Sequence, residues 1–148
     1  MSQRFDFWTN GIATILENPE KAKLVWHRTD LGTVVEQDAN TSAWFHIPIT
    51  TPTIMENDTS IYLRVIALRA KVNENATVDR IHIRRGTTLI FDKDVNYTNM
   101  DIGYVETIAP QSMSQGPQLG LAMSIYVKFL TGQPRGRVEF QGAGAGFW

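Results

Sequence analysis

Apolar and polar residues alternate along much of this chain. The clearest run is residues 119–129, where Leu119, Leu121, Met123, Ile125, Val127 and Phe129 share one parity. Gly120, Ala122, Ser124, Tyr126 and Lys128 share the other. A period of two is that of a strand, whereas a helix would spread the six apolar residues around its circumference. The run predicts a long strand with one buried face.

The same pattern recurs elsewhere. Residues 78–85 put Ile81 and Ile83 inward and Arg80, His82 and Arg84 outward. Gly86 then interrupts the run before 87–91, which predicts a hairpin turn at Arg85-Gly86. Residues 137–141 place Val138 and Phe140 on one side. In 61–72 the apolar parity switches near Val65 to Leu68, which asks for a bulge or for cover on both faces. Shorter strand candidates are 5–8, 12–17, 24–29, 43–49 and 102–109. Turn chemistry separates them at Thr9-Asn10-Gly11, Glu17-Asn18-Pro19-Glu20, Asp38-Ala39-Asn40 and Glu56-Asn57-Asp58. One helical turn is expected, over 19–23, with Asn18 as its cap. Many short strands with turns between them predict an all-β fold, an antiparallel, jelly-roll-like β-sandwich, as a single domain over 1–148.

Composition narrows the function. At 148 residues the chain can bury a sizeable core without a metal or disulfide. Its 14 basic and 15 acidic residues leave a net charge of −1, so no global field draws it to nucleic acid or an anionic membrane. The absence of cysteine removes thiolate nucleophiles, disulfides and Cys-based metal sites. No apolar run approaches the ~20 residues that span a bilayer as a helix, and no secretory signal is visible at the start, so membrane insertion is not expected. The compartment stays open between the cytoplasm and release by another route.

Three short segments carry a resemblance: Trp8-Thr-Asn-Gly11, Trp44-Phe-His-Ile-Pro-Ile49 followed by Thr51-Pro52, and the Gly-rich end with its terminal aromatic. Together they resemble a family of small uncharacterised bacterial proteins, a domain of unknown function. The resemblance implies an all-β sandwich and a bacterial origin, and it implies no activity.

Candidate chemistry follows from residue types. His27, His46 and His82 lie on three separate strand candidates, and spacing alone does not unite them as a metal triad. Asp92, Asp94 and Asn96, continuing to Asp101, alternate oxygen ligands like the start of a calcium loop. Tyr97 stands where a turn glycine belongs and Gly103 where the closing glutamate belongs, so the other reading is an Asx-rich turn. Four Asn-x-Ser/Thr sequons, at Asn40, Asn57, Asn75 and Asn96, mark loops on the same reasoning. No Gly-x-Ser-x-Gly elbow occurs, and the Gly/Ala-rich tail lacks the Lys-Ser/Thr of a phosphate loop. Among the aromatics, Trp26 and Tyr126 stand beside polar residues as a ligand platform would, whereas Trp8 and Trp44 are expected to fill the core.

The tail, residues 142–148, predicts that Phe147 and Trp148 are buried, in the same sandwich or in a neighbour. Gly120, Ala122, Ser124 and Tyr126 form a small, weakly polar outward row that suits close packing against another sheet. The first expectation is therefore a non-catalytic assembly or binding module forming a homo-oligomer through this row, Phe147 and Trp148. The alternative is a carbohydrate-binding sandwich, calcium-assisted through Asp92, Asp94, Asn96 and Asp101. A third reading is a small β-fold enzyme using His46 or His82 as general base, which a closed apolar pocket holding that histidine beside a carboxylate would favour.

Overall fold

The alternating runs fold as antiparallel strands in a computed structural model that describes residues 4–51, 61–113 and 120–148. Among the described residues these are β1 (Phe5–Asn10), β2 (Ile15–Leu16), β3 (Ala22–Arg28), β4 (Gly32–Gln37), β5 (Thr41–Ile49), β6 (Tyr62–Arg85), β7 (Thr88–Ser112), β8 (Leu121–Phe129) and β9 (Arg137–Phe147). No helix among them is long and apolar enough to cross a membrane. The turn Glu56-Asn57-Asp58 lies outside the described residues, as does Pro52.

Two very long strands organise the rest. β6 and β7 pair along their lengths as one hairpin, turned at Gly86 with φ of 57°. Strands of 24 and 25 residues far exceed the usual 3–10 and must bend. The free edge of β6 shows where: residues 76–85 pair with β8 and residues 63–72 with β9. The hairpin thus belongs to two layers. The first runs β2–β5–β8–β6–β7, and the second runs β7–β6–β9–β4–β3 with β1 also on β9. Between them the register shifts at residues 73–76, opposite Asn99, which takes φ of 50°. Asparagine side chains replace the lost ladder bonds at this corner. Asn73 Oδ1 accepts from the N–H groups of Asn75 (3.1 Å) and Arg137 (3.0 Å), and Asn73 Nδ2 donates to the Arg135 carbonyl (2.9 Å).

The layers face each other as a β-sandwich. Phe45 on β5 meets Phe140 on β9 across the interior at 5.0 Å between ring centres. Phe45, Phe129, Phe140 and Phe147 are fully buried, with Ile66, Leu68, Ile81, Ile83 and Met123 around them. Each such side chain contributes about 1.5–3 kcal/mol of burial. At the open side β7 closes on itself: Lys93 Nζ lies 3.0 Å from Glu106 Oε1, and the Tyr104 hydroxyl donates to the other Glu106 oxygen.

Several sequence readings change in detail. The parity switch in 61–72 is a bulge between Leu63 and Val65, after which Ile66, Leu68, Ala70 and Val72 point inward. Residues 12–17 form a 3-10 turn, Gly11–Ala13, capped by the Asn10 side chain, and the two-residue β2. The helical turn is shorter than expected, a 3-10 turn at Pro19–Lys21, and Asn18 makes no capping bond. Asp92, Asp94, Asn96 and Asp101 stand in the continuous strand β7 rather than in a turn or loop. The Asn96 sequon therefore marks no loop: pairing with β6 on one edge supplies the order that local Asx chemistry argued against.

The tail is a strand of the chain's own second layer. Residues 142–147 pair with β1 on one edge and β6 on the other. Ala143, Ala145 and Phe147 face the core, and Phe147 is fully buried. Gly142 and Gly144 lie under the Trp8 indole. Trp148 is half-buried, exchanges backbone bonds with Tyr62, and has the Arg4 and Arg64 guanidinium groups over its ring at 4.8 and 5.7 Å.

Candidate functional site

The inward parity of β5, β8 and the second half of β6 sends their other residues to the outer face of the first layer. Register aligns them in two rows. Trp44, Tyr126, Arg80 and Asp94 lie side by side on β5, β8, β6 and β7, and next to them lie His46, Ser124, His82 and Asp92. A bulge on β6 between Val78 and Arg80 brings Asp79 to the same surface, 3.0 Å from Lys128 Nζ.

Trp44 is the centre of this face. Its ring lies 5.1 Å from Tyr126 and 4.6 Å from His82, tilted by 44° and 40°. The Tyr126 hydroxyl donates to Ser42 Oγ at 2.8 Å, and His46 Nδ1 shares a 2.8 Å hydrogen bond with Ser124 Oγ. Around the tilted aromatic pair opens a cleft of about 650 Å³ lined by Trp44, Tyr126, Asp79, Arg80, Asp94 and Val95. A smaller hollow of about 150 Å³ continues over His46, His82 and Glu17. Apolar ring faces with donors and acceptors at their rims suit a ligand that is itself amphipathic and many-hydroxylated.

Charges in the cleft are mutually paired. Arg80 Nε lies 3.1 Å from Asp92 and 3.0 Å from Asp94. His82 Nε2 lies 3.1 Å from Asp92. The Arg80 and His82 nitrogens approach off their N–H directions, so neither makes a directed hydrogen bond; the Arg80 contacts are ionic, and that of His82 is ionic only when its ring is protonated. Burial pushes the His82 imidazole below the ordinary histidine range. The Asp92 carboxylate opposes that shift, and the positive Arg80 and Arg84 add to it. Trp44, His46 and Ser124 complete its surroundings. A lowered folded pKa means that the unfolded chain binds the extra proton first, so stability falls as pH drops from about 6.5 through the lower folded value. Replacing His82 by Gln is expected to flatten the melting temperature across that window. A wild type whose melting temperature tracks the variant's from about pH 7.5 to about pH 5.5 contradicts this.

The structure brings together one of the two expected platform residues. Tyr126 lies in the cleft. Trp26 lies on β3, in the other layer, 44% exposed and 5.8 Å under the Arg137 guanidinium. Trp44 and Trp8 are not core residues as expected: Trp44 lies on one outer face and Trp8, 52% exposed, on the other. The alternation of 43–49 carried the signal for Trp44, because Ala43, Phe45, Ile47 and Ile49 are all buried and leave Trp44 and His46 outside.

The acidic candidates do not converge. Asp92 and Asp94 face Arg80, Asp101 faces Lys71 at 3.8 Å, and Asn96 lies at the register shift between them. Among the described residues no three His or acidic side chains gather around a point that could hold a metal ion. The small outward row also has an explanation within one chain. Ser124 is covered and bonded by His46, Tyr126 packs against Trp44, and Ala122 lies between Pro48 and Arg84. Gly120 precedes β8 with φ of 75°, a backbone need rather than a packing one. His46 and His82 stand near Glu17 and Asp92 in an open polar groove, not in the closed apolar pocket that would favour the enzyme reading.

No protein-family model matches the chain, and no curated protein sequence does. Solved structures do. A family 4 carbohydrate-binding module is similar with a TM-score of 0.50 at 11% identity, over 90% of this chain and 88% of that one. The xylan-binding module CBM15 is similar with a TM-score of 0.48 at 12% identity, over 98% and 96%. The module CBM36, solved in complex with calcium and xylotriose, is similar with a TM-score of 0.41 at 9% identity, over 92% and 96%. At such identities the likeness establishes the β-sandwich and nothing finer.

Proposed function

We propose that this protein is a non-catalytic carbohydrate-binding module that takes a glycan across the outer face of its first layer. The observation that carries this reading is the Trp44–Tyr126 pair, open to solvent in a cleft rimmed by Asp79, Arg80 and Asp94. Sugar rings offer apolar C–H faces to such aromatics and equatorial hydroxyls to the charged rim. The groove crosses the strands from Asp94 to the hollow beside Glu17, a path suited to a short stretch of a chain rather than to a lone monosaccharide.

Isothermal titration with neutral oligosaccharides, namely xylohexaose, cellohexaose and laminarihexaose, tests it. At least one is expected to bind, and Trp44→Ala is expected to weaken that binding tenfold or more, about 1.4 kcal/mol, with little change in melting temperature because Trp44 is outside the core. Absence of binding to all three, or equal affinity in the variant, overturns the assignment.

A further inference from the structure

The second layer carries an exposed aromatic of its own. The register places Trp8 beside Gly144 on β9, then Ala67 on β6 and Val105 on β7. The lie of the indole follows from its contacts. A Cβ at Gly142 would stand 2.5 Å from Trp8 Nε1 and 2.8 Å from Cζ2, and one at Gly144 would stand 2.4 Å from Cε3. Opposite ends of one ring over two successive outward positions of one strand mean that the indole lies flat along β9. Its other face is open, and Trp8 is 52% exposed. Beside it runs a groove of about 260 Å³, floored by Val65, Ala67 and Gly144 and flanked by Val105, which is 70% exposed.

One charge near the indole, outside the lining of the groove itself, is unused. Arg4 is held by Asp6 at 2.8 Å. Arg69 is exposed, sits next to Gly142 on the neighbouring strand, and has no hydrogen-bond or ion-pair partner among the described residues. Across from it is Gly103, where an added Cβ would meet nothing within 4 Å. One strand spacing, about 4.8 Å, separates Arg69 from the residue beneath the indole.

We propose that this face is a second binding site, for an acidic sugar: a pyranose stacked on the flat face of Trp8, with its carboxylate on the Arg69 guanidinium. The open indole matches the apolar side of the ring, and a planar guanidinium matches a carboxylate bidentately. A neutral sugar leaves Arg69 unused. Over the floor of the groove an added peptide strand has no backbone to pair with, because β6 and β9 are both bonded on both sides there. The site shares no residue with the Trp44 cleft and does not depend on it.

The test compares methyl β-glucuronide with methyl β-glucoside, which differ only in the carboxylate, on the whole protein. The Trp8 indole N–H resonance, assigned by its loss in Trp8→Phe, is the readout. The glucuronide is expected to shift it with at least tenfold higher affinity than the glucoside. Arg69→Gln, an exposed change, is expected to reduce the two to one weak affinity, and Trp44→Ala to change neither. The proposal fails if the glucuronide leaves the Trp8 signal still, if Arg69→Gln keeps the preference, or if the signal shifts with protein concentration alone, which would mark the face as a contact between copies.

Discussion

A chain cut after Gln141 is expected not to fold. Residues 142–147 are the middle of the second layer, bonded to β1 on one side and β6 on the other. Their removal strips Phe147 from the core, and losing one buried phenylalanine alone costs about 3–5 kcal/mol. It also leaves β1 without its partner and bares one edge of β6, against a total stability of about 5–15 kcal/mol for a domain. Far-ultraviolet circular dichroism and a thermal melt read the outcome, and a cooperative transition with native strand signal contradicts it. Cutting after Phe147 removes a half-exposed ring lying under Arg4 and Arg64 and two backbone bonds to Tyr62, and is expected to lower the melting temperature by a few degrees.

The second large effect is expected at the glycines under Trp8, and it separates two positions that look alike. At Gly142 the three nearest obstacles to a Cβ all belong to the Trp8 ring. At Gly144 the Phe7 carbonyl oxygen also stands 2.8 Å away, and backbone cannot swing aside. Both alanine substitutions are expected to destabilise, Gly142→Ala by about 1–3 kcal/mol and Gly144→Ala by more. In a Trp8→Ala background the Gly142 penalty is expected to vanish, since alanine is otherwise better than glycine in a strand, while the Gly144 penalty persists. Denaturant melts of the three single and two double variants measure the coupling. An unchanged Gly142 penalty without Trp8 means that the indole does not lie where it is described.

Much of this architecture was legible in local pattern. The faces of β8 and of the second half of β6 follow from parity, the hairpin follows from the glycine that interrupts it at Gly86, and the bulge in 61–72 is one of the two arrangements its parity switch allowed. So does the alternation of Gly and Ala in β9, where alanines meet the core and glycines make room for a large ring. What parity alone could not supply is which strands become neighbours. Trp44 and His82 are far apart in the chain, and only the placement of β8 between β5 and β6 makes them a stacked pair. The same gap bears on the acidic run. Asp92 and Asp94 look like ligands in isolation, and the arginine that occupies them arrives from β6. The expectation that Trp8 and Trp44 fill the core rests on what tryptophans commonly do in a sandwich, whereas the alternation of their own strands places them outside.

The pairing of β1 with β9 also bears on time. Phe5 stands opposite Phe147, so the first strand has no neighbour on β9 until the last one has been made. β4 too waits for β9 to join it to β6. Only the β6–β7 hairpin and the β3–β4 pair can form from sequence-local contacts. Chains dominated by such distant pairings fold over milliseconds to seconds rather than microseconds. During that interval the Trp8 strand and the inner faces of β6 are bare, and the chain is at its most prone to stick to others. The late, glycine-rich strand is then the step that ends the exposure, closing the second layer between two strands already waiting for it.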